Sequence, residues 1–435
     1  QGGDPTLNIS AKGLTGEAYY GWAWWDTETY CLPFFLFTDP AAARCLLAYR
    51  YRTLPGAIRR AREKDCRGAR YPMGTIDGTE SCGTWQHGDL EIHVSAAVAY
   101  GIWHYLQVTG DREFLETQGL EMLLQICRYY ASRGAWSPRT GEFGLWGVMG
   151  PDEFHMMVHN NTYTNLLAKR TFEFTLAEAA RLRRDAPARW RRLAAKVGLE
   201  TTELRAWRRM AARMRILFNP RTGLFEQHDG YFDLPHVNVQ AIPARDFPLY
   251  HHWAYYRLFR SDMIKQPDVL LFLFLYNQSF SRRVKLRNYA YYTPRCSHES
   301  SLSPAIHSIL AAELGRAAEA GRFFRHATRL DLDDYNRNSA LGLHTTSMAA
   351  AWMNVVYGFG GLRSDGPRLA FVPVALPPAW KRLAFRVHYR GALLEVRADR
   401  QGTEFRVVDG PPVRLLVYGR QLTVGPGGVR VARRV

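Results

Sequence analysis

The chain has 435 residues, of which 47% are hydrophobic, 22% charged and 13% aromatic; this is enough apolar material for at least one large core and excludes a disordered chain. The longest strongly apolar run, Val269 to Tyr276, falls far short of the roughly 18 to 20 residues that span a bilayer, and no basic and apolar leader opens the sequence. A soluble chain without a visible export signal is expected, and its start at Gln1 rather than Met suggests a processed or truncated chain.

Cys31, Cys45, Cys66, Cys82, Cys127 and Cys296 form no Cys-x-x-Cys pair and have no histidine at finger spacing. This argues against a structural zinc site and a disulfide framework, and for a reducing compartment, the cytoplasm. The net charge of +17 comes mostly from arginine, concentrated at Arg181 to Arg192 and Arg205 to Arg215. Leu, Ala and Trp recur there at helical spacing, so these arginines read as the solvated faces of surface helices. A nucleic-acid site is not expected, because no helix-turn-helix, finger or RNA-binding motif accompanies the charge.

In chain order, the period is helical from about Ala41 to Gly361. The clearest helices are Ser95 to Val108, Phe114 to Ser132, Asn165 to Arg184, Pro304 to Leu314, Ala317 to Leu330 and Thr345 to Tyr357. After Gly361 the period becomes two, over Leu369 to Val374, Leu383 to Tyr389, Leu393 to Ala398, Glu404 to Val408 and Val413 to Tyr418. Gly-containing turns such as Arg390-Gly391 and Asp409-Gly410 separate these runs. The expected architecture is mainly α: a closed double ring of helices over residues 1–363, then a small antiparallel β domain of about six strands over 364–435. No fixed repeat of solenoid length is visible, which favours the closed ring.

Unusual residues gather in the loops. Trp22, Trp24, Trp25 and Asp26 place flat aromatic faces beside a carboxylate, a combination suited to a pyranose ring and equally to a Trp-rich core. In Gly150-Pro151-Asp152-Glu153-Phe154-His155, two carboxylates follow a Gly-Pro turn among Trp146, Met149 and Phe154. Apolar surroundings of this kind would raise a carboxyl pKa toward that of a general acid, and the same string fits an ordinary helix start. Ser300 and Ser301 precede Ser303, an expected N-cap, and Pro304 at a helix start; His344 precedes a second helix start. Both arrangements suit an oxyanion, and both fit plain capping. Lys265 and Gln266 lead into the apolar run, and lysine is scarce in this chain.

Taken together and in order, these segments resemble glycoside hydrolase family 65, the inverting disaccharide phosphorylases. The matching strings are WDTETYCLPFFLFTDP, RYRTLPGA, GPDEFH, NNTYTN, KQPDV, HESSLSPAIHS, more loosely ATRLDLDDYN, and GLHTTSMAAAW. The resemblance implies an (α/α)6 barrel followed by a C-terminal β unit. It also implies an N-terminal β-sandwich that this sequence lacks, since it opens where the barrel would begin. Glu153 would be the general acid, Trp25, Asp26, Lys265 and Gln266 would hold the transferred glucosyl unit, and Ser300, Ser301 and His344 would hold phosphate. Glu80, Trp85 and His87 would face the acceptor sugar.

The implied activity is phosphorolysis of an α-glucosyl disaccharide to β-glucose 1-phosphate by one inverting displacement, with inorganic phosphate as co-substrate and no metal or organic cofactor. The partners are then the disaccharide and phosphate, with no nucleic acid or membrane, in a homodimer. Two alternatives stand beside this: an inverting hydrolase using Glu299 as general base, and an inactive or truncated sugar-binding remnant.

Overall fold

The computed structural model describes residues 3–13, 16–374 and 376–432. The helices that build its ring are α1 (Leu32–Thr38, entered through a π-helical turn at Thr27–Cys31), α2 (Pro40–Arg52), α3 (His93–Thr109), α4 (Leu120–Arg133), α5 (Thr162–Asp185) and α6 (Thr201–Arg213). They continue as α7 (Asp268–Leu275), α8 (Arg282–Tyr292), α9 (Ser303–Glu313), α10 (Ala317–Arg329) and α11 (Thr345–Met353, prolonged by a π-helical stretch at Asn354–Phe359). Helix α1 packs on α3, α3 on α5, α5 on α7, α7 on α9, α9 on α11 and α11 back on α1. This closes an inner ring, and α2, α4, α6, α8 and α10 follow their inner partners on the outside. The architecture is an (α/α)6 barrel.

The inner helices α3 and α7 are apolar on nearly every side, which only a helix covered all round can be. All eight residues of α7 are buried, as is nearly the whole of α3. Helix ends carry the local signals that set them: the Asp39 side chain accepts from Ala41 N and Ala42 N ahead of α2, with Pro40 in its first turn, and Asn161 accepts from Thr164 N to start α5. Helix α9 departs from expectation. It begins at Ser303 with Leu302 in the cap position, and the Ser303 hydroxyl lies 2.6 Å from His298 Nδ1 instead of capping.

The C-terminal region holds more strands than its alternation suggested. Strands β1 (Leu362–Arg363), β2 (Ala370–Phe371), β3 (Arg382–Tyr389), β4 (Ala392–Asp399), β5 (Gly402–Asp409), β6 (Val413–Val417), β7 (Arg420–Val424) and β8 (Val429–Ala432) form two four-stranded sheets, ordered β7-β6-β2-β1 and β8-β5-β4-β3. All pairings are antiparallel except β6 with β2. A single small sheet would leave one apolar face wet. Two sheets bury it, and the Phe371 and Phe405 rings meet at 4.7 Å between them. The change of architecture falls at Gly360 and Gly361, just ahead of the expected boundary, and β3 packs against α1.

The arginine-rich stretches lie at the C-terminal end of α5, on the short helix Pro187–Lys196 that follows it and on α6, and Arg181 and Arg189 pair with Glu116 at 2.9 and 2.6 Å. Among the described residues no helix is long and apolar enough to cross a membrane, and the six cysteines are free thiols.

Candidate active site

The loops at one end of the ring enclose a cavity of about 380 Å³. Its walls include Trp25, Asp26, Glu153, Lys265, Gln266, Glu299, Ser300, Ser301 and His344, drawn from segments that span most of the chain.

The segment 150–155 is a series of turns, not the start of a helix. Gly150 lets it lie directly on α7: a Cβ there would sit 2.1 Å from Asp268 Oδ2. The two adjacent carboxylates then part company. Asp152 turns inward, where Oδ1 accepts from Lys265 N at 2.8 Å and Oδ2 accepts from Gln227 Nε2 at 2.7 Å and meets His155 Nδ1 at 2.7 Å; its own N–H donates to Asp268 Oδ1 at 2.7 Å. Glu153 turns to the cavity. Its Oε2 is ion-paired with Lys265 Nζ at 2.7 Å, and His87 Nε2 lies 3.9 Å away.

This overturns the expectation that apolar neighbours raise the Glu153 pKa. Burial does push it up, but Lys265 and His87 more than reverse that and hold it below the ordinary carboxyl value. The aromatic residues beside it in sequence go elsewhere: Phe154 joins a small core with Leu249, Leu258 and Met263, and the Trp146 ring lies 5.2 Å from that of His159.

Across the cavity, Asp26 is buried, and burial pushes its carboxyl up to about 6 against the opposing hydrogen bond donated by Thr346 Oγ1 at 2.8 Å. Trp25 is buried with its ring against His93, and Trp22 and Trp24 also line the wall. Gln266 ties the acid loop to the opposite side, because its Nε2 donates to Pro151 O and its Oε1 accepts from Ser300 Oγ at 2.7 Å.

Ser301 lines the cavity beside Ser300. His344 is held by Asp331, whose Oδ1 lies 2.5 Å from Nδ1 and whose Oδ2 accepts the His344 backbone N–H at 2.7 Å. Lys12 Nζ is 3.5 Å from the same Nδ1 and donates to Gly342 O at 2.8 Å. Burial lowers the His344 pKa more than Asp331 raises it.

Of the three residues expected at the acceptor, only His87 lines the cavity. Glu80 is a loop staple whose carboxylate accepts from Met73 N, Gly74 N and Cys82 N, and Trp85 is an exposed side chain outside the lining. Its three backbone bonds explain the inward turn: a carboxylate that satisfies a tight loop has no oxygen to spare. Glu299 lines the cavity, but its Oε1 accepts from Leu249 N at 2.5 Å. Sequence reasoning missed Lys12, Glu91 and the pairing of Asp331 with His344, since nothing local marks them. Among the described residues, one group gathers metal-type ligands: Cys296, His298 and His307, with ligand atoms within 4.8 Å of one another.

Comparison with known proteins agrees with this geometry. The glycosyl hydrolase family 65 central catalytic domain matches residues 1–353, and the C-terminal domain of the same family matches residues 362–424. The chain belongs to glycosyl hydrolase family 65. It is 38% identical over 430 residues to an α,α-trehalose phosphorylase of Thermoanaerobacter brockii, covering 99% of this chain and 55% of that protein. It is 39% identical over 418 residues to a maltose phosphorylase of Bacillus subtilis (strain 168), covering 96% and 54%. Against a kojibiose phosphorylase of Halothermothrix orenii the identity is 35% over 438 residues, covering 96% and 56%. This family 65 chain thus spans about half the length of the curated relatives it matches. The solved structure of a candidate kojibiose phosphorylase from the human microbiome superposes with a TM-score of 0.94 at 43% identity, covering 100% of this chain and 63% of that one.

Proposed function

We propose that this family 65 chain carries the catalytic machinery for inverting phosphorolysis of an α-glucosyl disaccharide, giving β-glucose 1-phosphate and the released sugar. The observation that supports this reading best is the placing of Ser300, Ser301 and the Asp331-held His344 in the same cavity as Glu153. Hydroxyls are donors that suit a phosphate oxyanion, an imidazole nitrogen accepts the O–H of a monoprotonated phosphate or donates when charged, and a carboxyl group is what a departing sugar oxygen requires. The relatives are named for trehalose, maltose and kojibiose, which are α-glucosyl disaccharides.

In this reading Trp25 and Asp26 hold the glucosyl ring. Phosphate, held by Ser300, Ser301 and His344, attacks the anomeric carbon while Glu153 gives its proton to the glycosidic oxygen on the other face. The transition state is oxocarbenium-like, and a single displacement inverts the anomer. No metal or organic cofactor enters the scheme, and the six free thiols fit a reducing cytoplasm. Glu299 as a hydrolytic base is disfavoured, because its Oε1 is shared with Leu249 N and its Oε2 is buried, with no exposed surface from which to take a proton from water. Reverse synthesis from β-glucose 1-phosphate across a panel of acceptors, with products separated by linkage, tests the proposal and identifies the acceptor. Release of free glucose from disaccharides at full rate without phosphate would overturn it.

A further inference from the structure

Glu91 takes no part in the scheme above, yet it is a buried carboxylate in contact with His87, which lines the cavity. It lies one helical turn after His87, with Oε1 2.5 Å from His87 Nδ1. The other imidazole nitrogen, Nε2, faces Glu153 Oε2 at 3.9 Å. Carboxylate, imidazole and carboxylate are therefore in series, with the buried Glu91 at the protein end and the acid at the cavity end. The His87 side chain is only a quarter exposed, at 24%.

The arrangement answers a difficulty in the proposed chemistry. Glu153 must be protonated when the disaccharide is bound, but Lys265 at 2.7 Å favours the carboxylate, and each phosphorolytic turnover leaves Glu153 without its proton. A group that stores a proton next to the acid would remove the need to recruit one from bulk water at that moment.

We propose that Glu91 and His87 form a proton relay that reloads Glu153 between turnovers, a role that rests on the phosphorolysis reading. In the step, the Nε2–H bond of His87 breaks and an O–H bond forms at Glu153 Oε2, leaving a neutral imidazole whose remaining proton, on Nδ1, points to Glu91. The imidazole regains a proton at Nε2 from solvent or from the monoprotonated sugar phosphate as it leaves. The 3.9 Å gap must shorten in the complex, as such contacts commonly do when substrate closes an active site.

The surroundings favour a stored proton near neutral pH. Burial pushes Glu91 up to about 7. For His87, burial acts downward, but Glu91 and Glu153 outweigh it and raise its pKa. The other ionisable groups that face the relay are Lys265, Asp152, Asp268, Tyr255, Cys82 and His93; burial pushes His93 down to about 3, so it is neutral, 3.8 Å from Glu91 Oε2.

The experiment compares Glu91→Gln and His87→Gln with the parent chain on a disaccharide and on α-glucosyl fluoride, each with inorganic phosphate. Fluoride departs without needing the acid's proton. Both variants are expected to lose on the order of tenfold or more in kcat on the disaccharide, with KM within about threefold for Glu91→Gln, and much less on the fluoride. The alkaline limb of the disaccharide kcat profile should move to lower pH in Glu91→Gln. Equal losses on both substrates, or none on either, would overturn the relay and leave phosphorolysis standing.

A second measurement needs no turnover: histidine-labelled protein is titrated by NMR, with the His87 signal assigned by its loss in His87→Gln. Its midpoint should fall in Glu91→Gln, and an unmoved midpoint would overturn the relay. Phosphate-independent release of glucose would overturn the phosphorolysis reading instead, and the titration would still decide the relay.

Discussion

Asp331 grips His344 from two sides, with one carboxylate oxygen 2.5 Å from Nδ1 and the other accepting the backbone N–H of the same residue at 2.7 Å. That double hold favours a proton on Nδ1, so that in the neutral imidazole Nε2 is an acceptor for the O–H of a monoprotonated phosphate, and in the imidazolium it is a donor to a phosphate oxygen. Asp331→Asn should therefore raise the apparent phosphate constant by about tenfold, a loss of roughly 1.5 kcal/mol, with little change in the disaccharide constant. Initial rates over a grid of both substrates separate the two. A larger loss in disaccharide affinity than in phosphate affinity would place His344 on the sugar.

The two serines give a companion test. Ser300 already shares its hydroxyl with Gln266 at 2.7 Å, and Ser301 lines the same cavity. Ser300→Ala with Ser301→Ala should raise the phosphate constant well over tenfold, since each hydrogen bond to a charged oxygen contributes roughly 1.5 to 3 kcal/mol. Unchanged phosphate dependence would reduce both to loop structure.

Glu153→Gln keeps shape and hydrogen bonding but removes the transferable proton. Disaccharide turnover should fall by about three orders of magnitude, and turnover of α-glucosyl fluoride far less. Asp152 makes a poor inert control, because its buried carboxylate serves Lys265 N, Gln227 and His155. Asp152→Asn should lower the melting temperature as well as activity. A stable and fully inactive Asp152→Asn beside an active Glu153→Gln would reverse the roles assigned here.

Asp26 supplies a pH signature. Burial, opposed by the Thr346 hydroxyl, leaves its carboxyl at about 6. If the carboxylate form accepts sugar hydroxyls, disaccharide KM should rise as pH falls through about 6. Thr346→Val removes the bond that favours the carboxylate, so the rise should begin at higher pH. KM measured between pH 5 and pH 8 for parent and variant checks this; superimposable profiles would remove Asp26 from sugar binding.

A fifth prediction concerns the support beneath the Trp cluster. Arg50 and Glu28 are both fully buried and joined twice, at 2.5 and 2.9 Å, with Arg50 Nη2 also donating to Trp24 O at 2.9 Å. Arg50→Met strands a buried carboxylate and should cost about 3 to 5 kcal/mol by denaturant unfolding. Adding Glu28→Gln removes the stranded charge and should recover part of that loss; a double variant no better than the single would refute the argument.

The helical period and the later alternation marked most elements, because covering an apolar face is a local constraint that repeats along the chain. Helix α3 spans His93–Thr109 against an expected 95–108, and strand β3 spans Arg382–Tyr389 against 383–389. The short strands β1, β7 and β8 escaped notice, since runs of two to five residues carry little pattern to stand out, and with them went the second sheet.

The site divides in the same way. By itself the sequence determined which residue types stand at Glu153, Asp26, Lys265, Ser300, Ser301 and His344, and their order was enough for the family resemblance. Tertiary structure alone decided what each could do. Asp152 and Glu153 are neighbours of similar chemistry, and one becomes a buried hub while the other faces the cavity, because Gly150 lies against Asp268 more than a hundred positions away. Lys12 reaches His344 across 332 positions, Lys265 reaches Glu153 across 112, and Glu80 turns inward to its own loop. Ionisation depends on burial and on the nearest charges, and in a closed ring those charges come from helices far apart in the chain. Local pattern names the groups; closure of the ring selects their partners and so sets their charge.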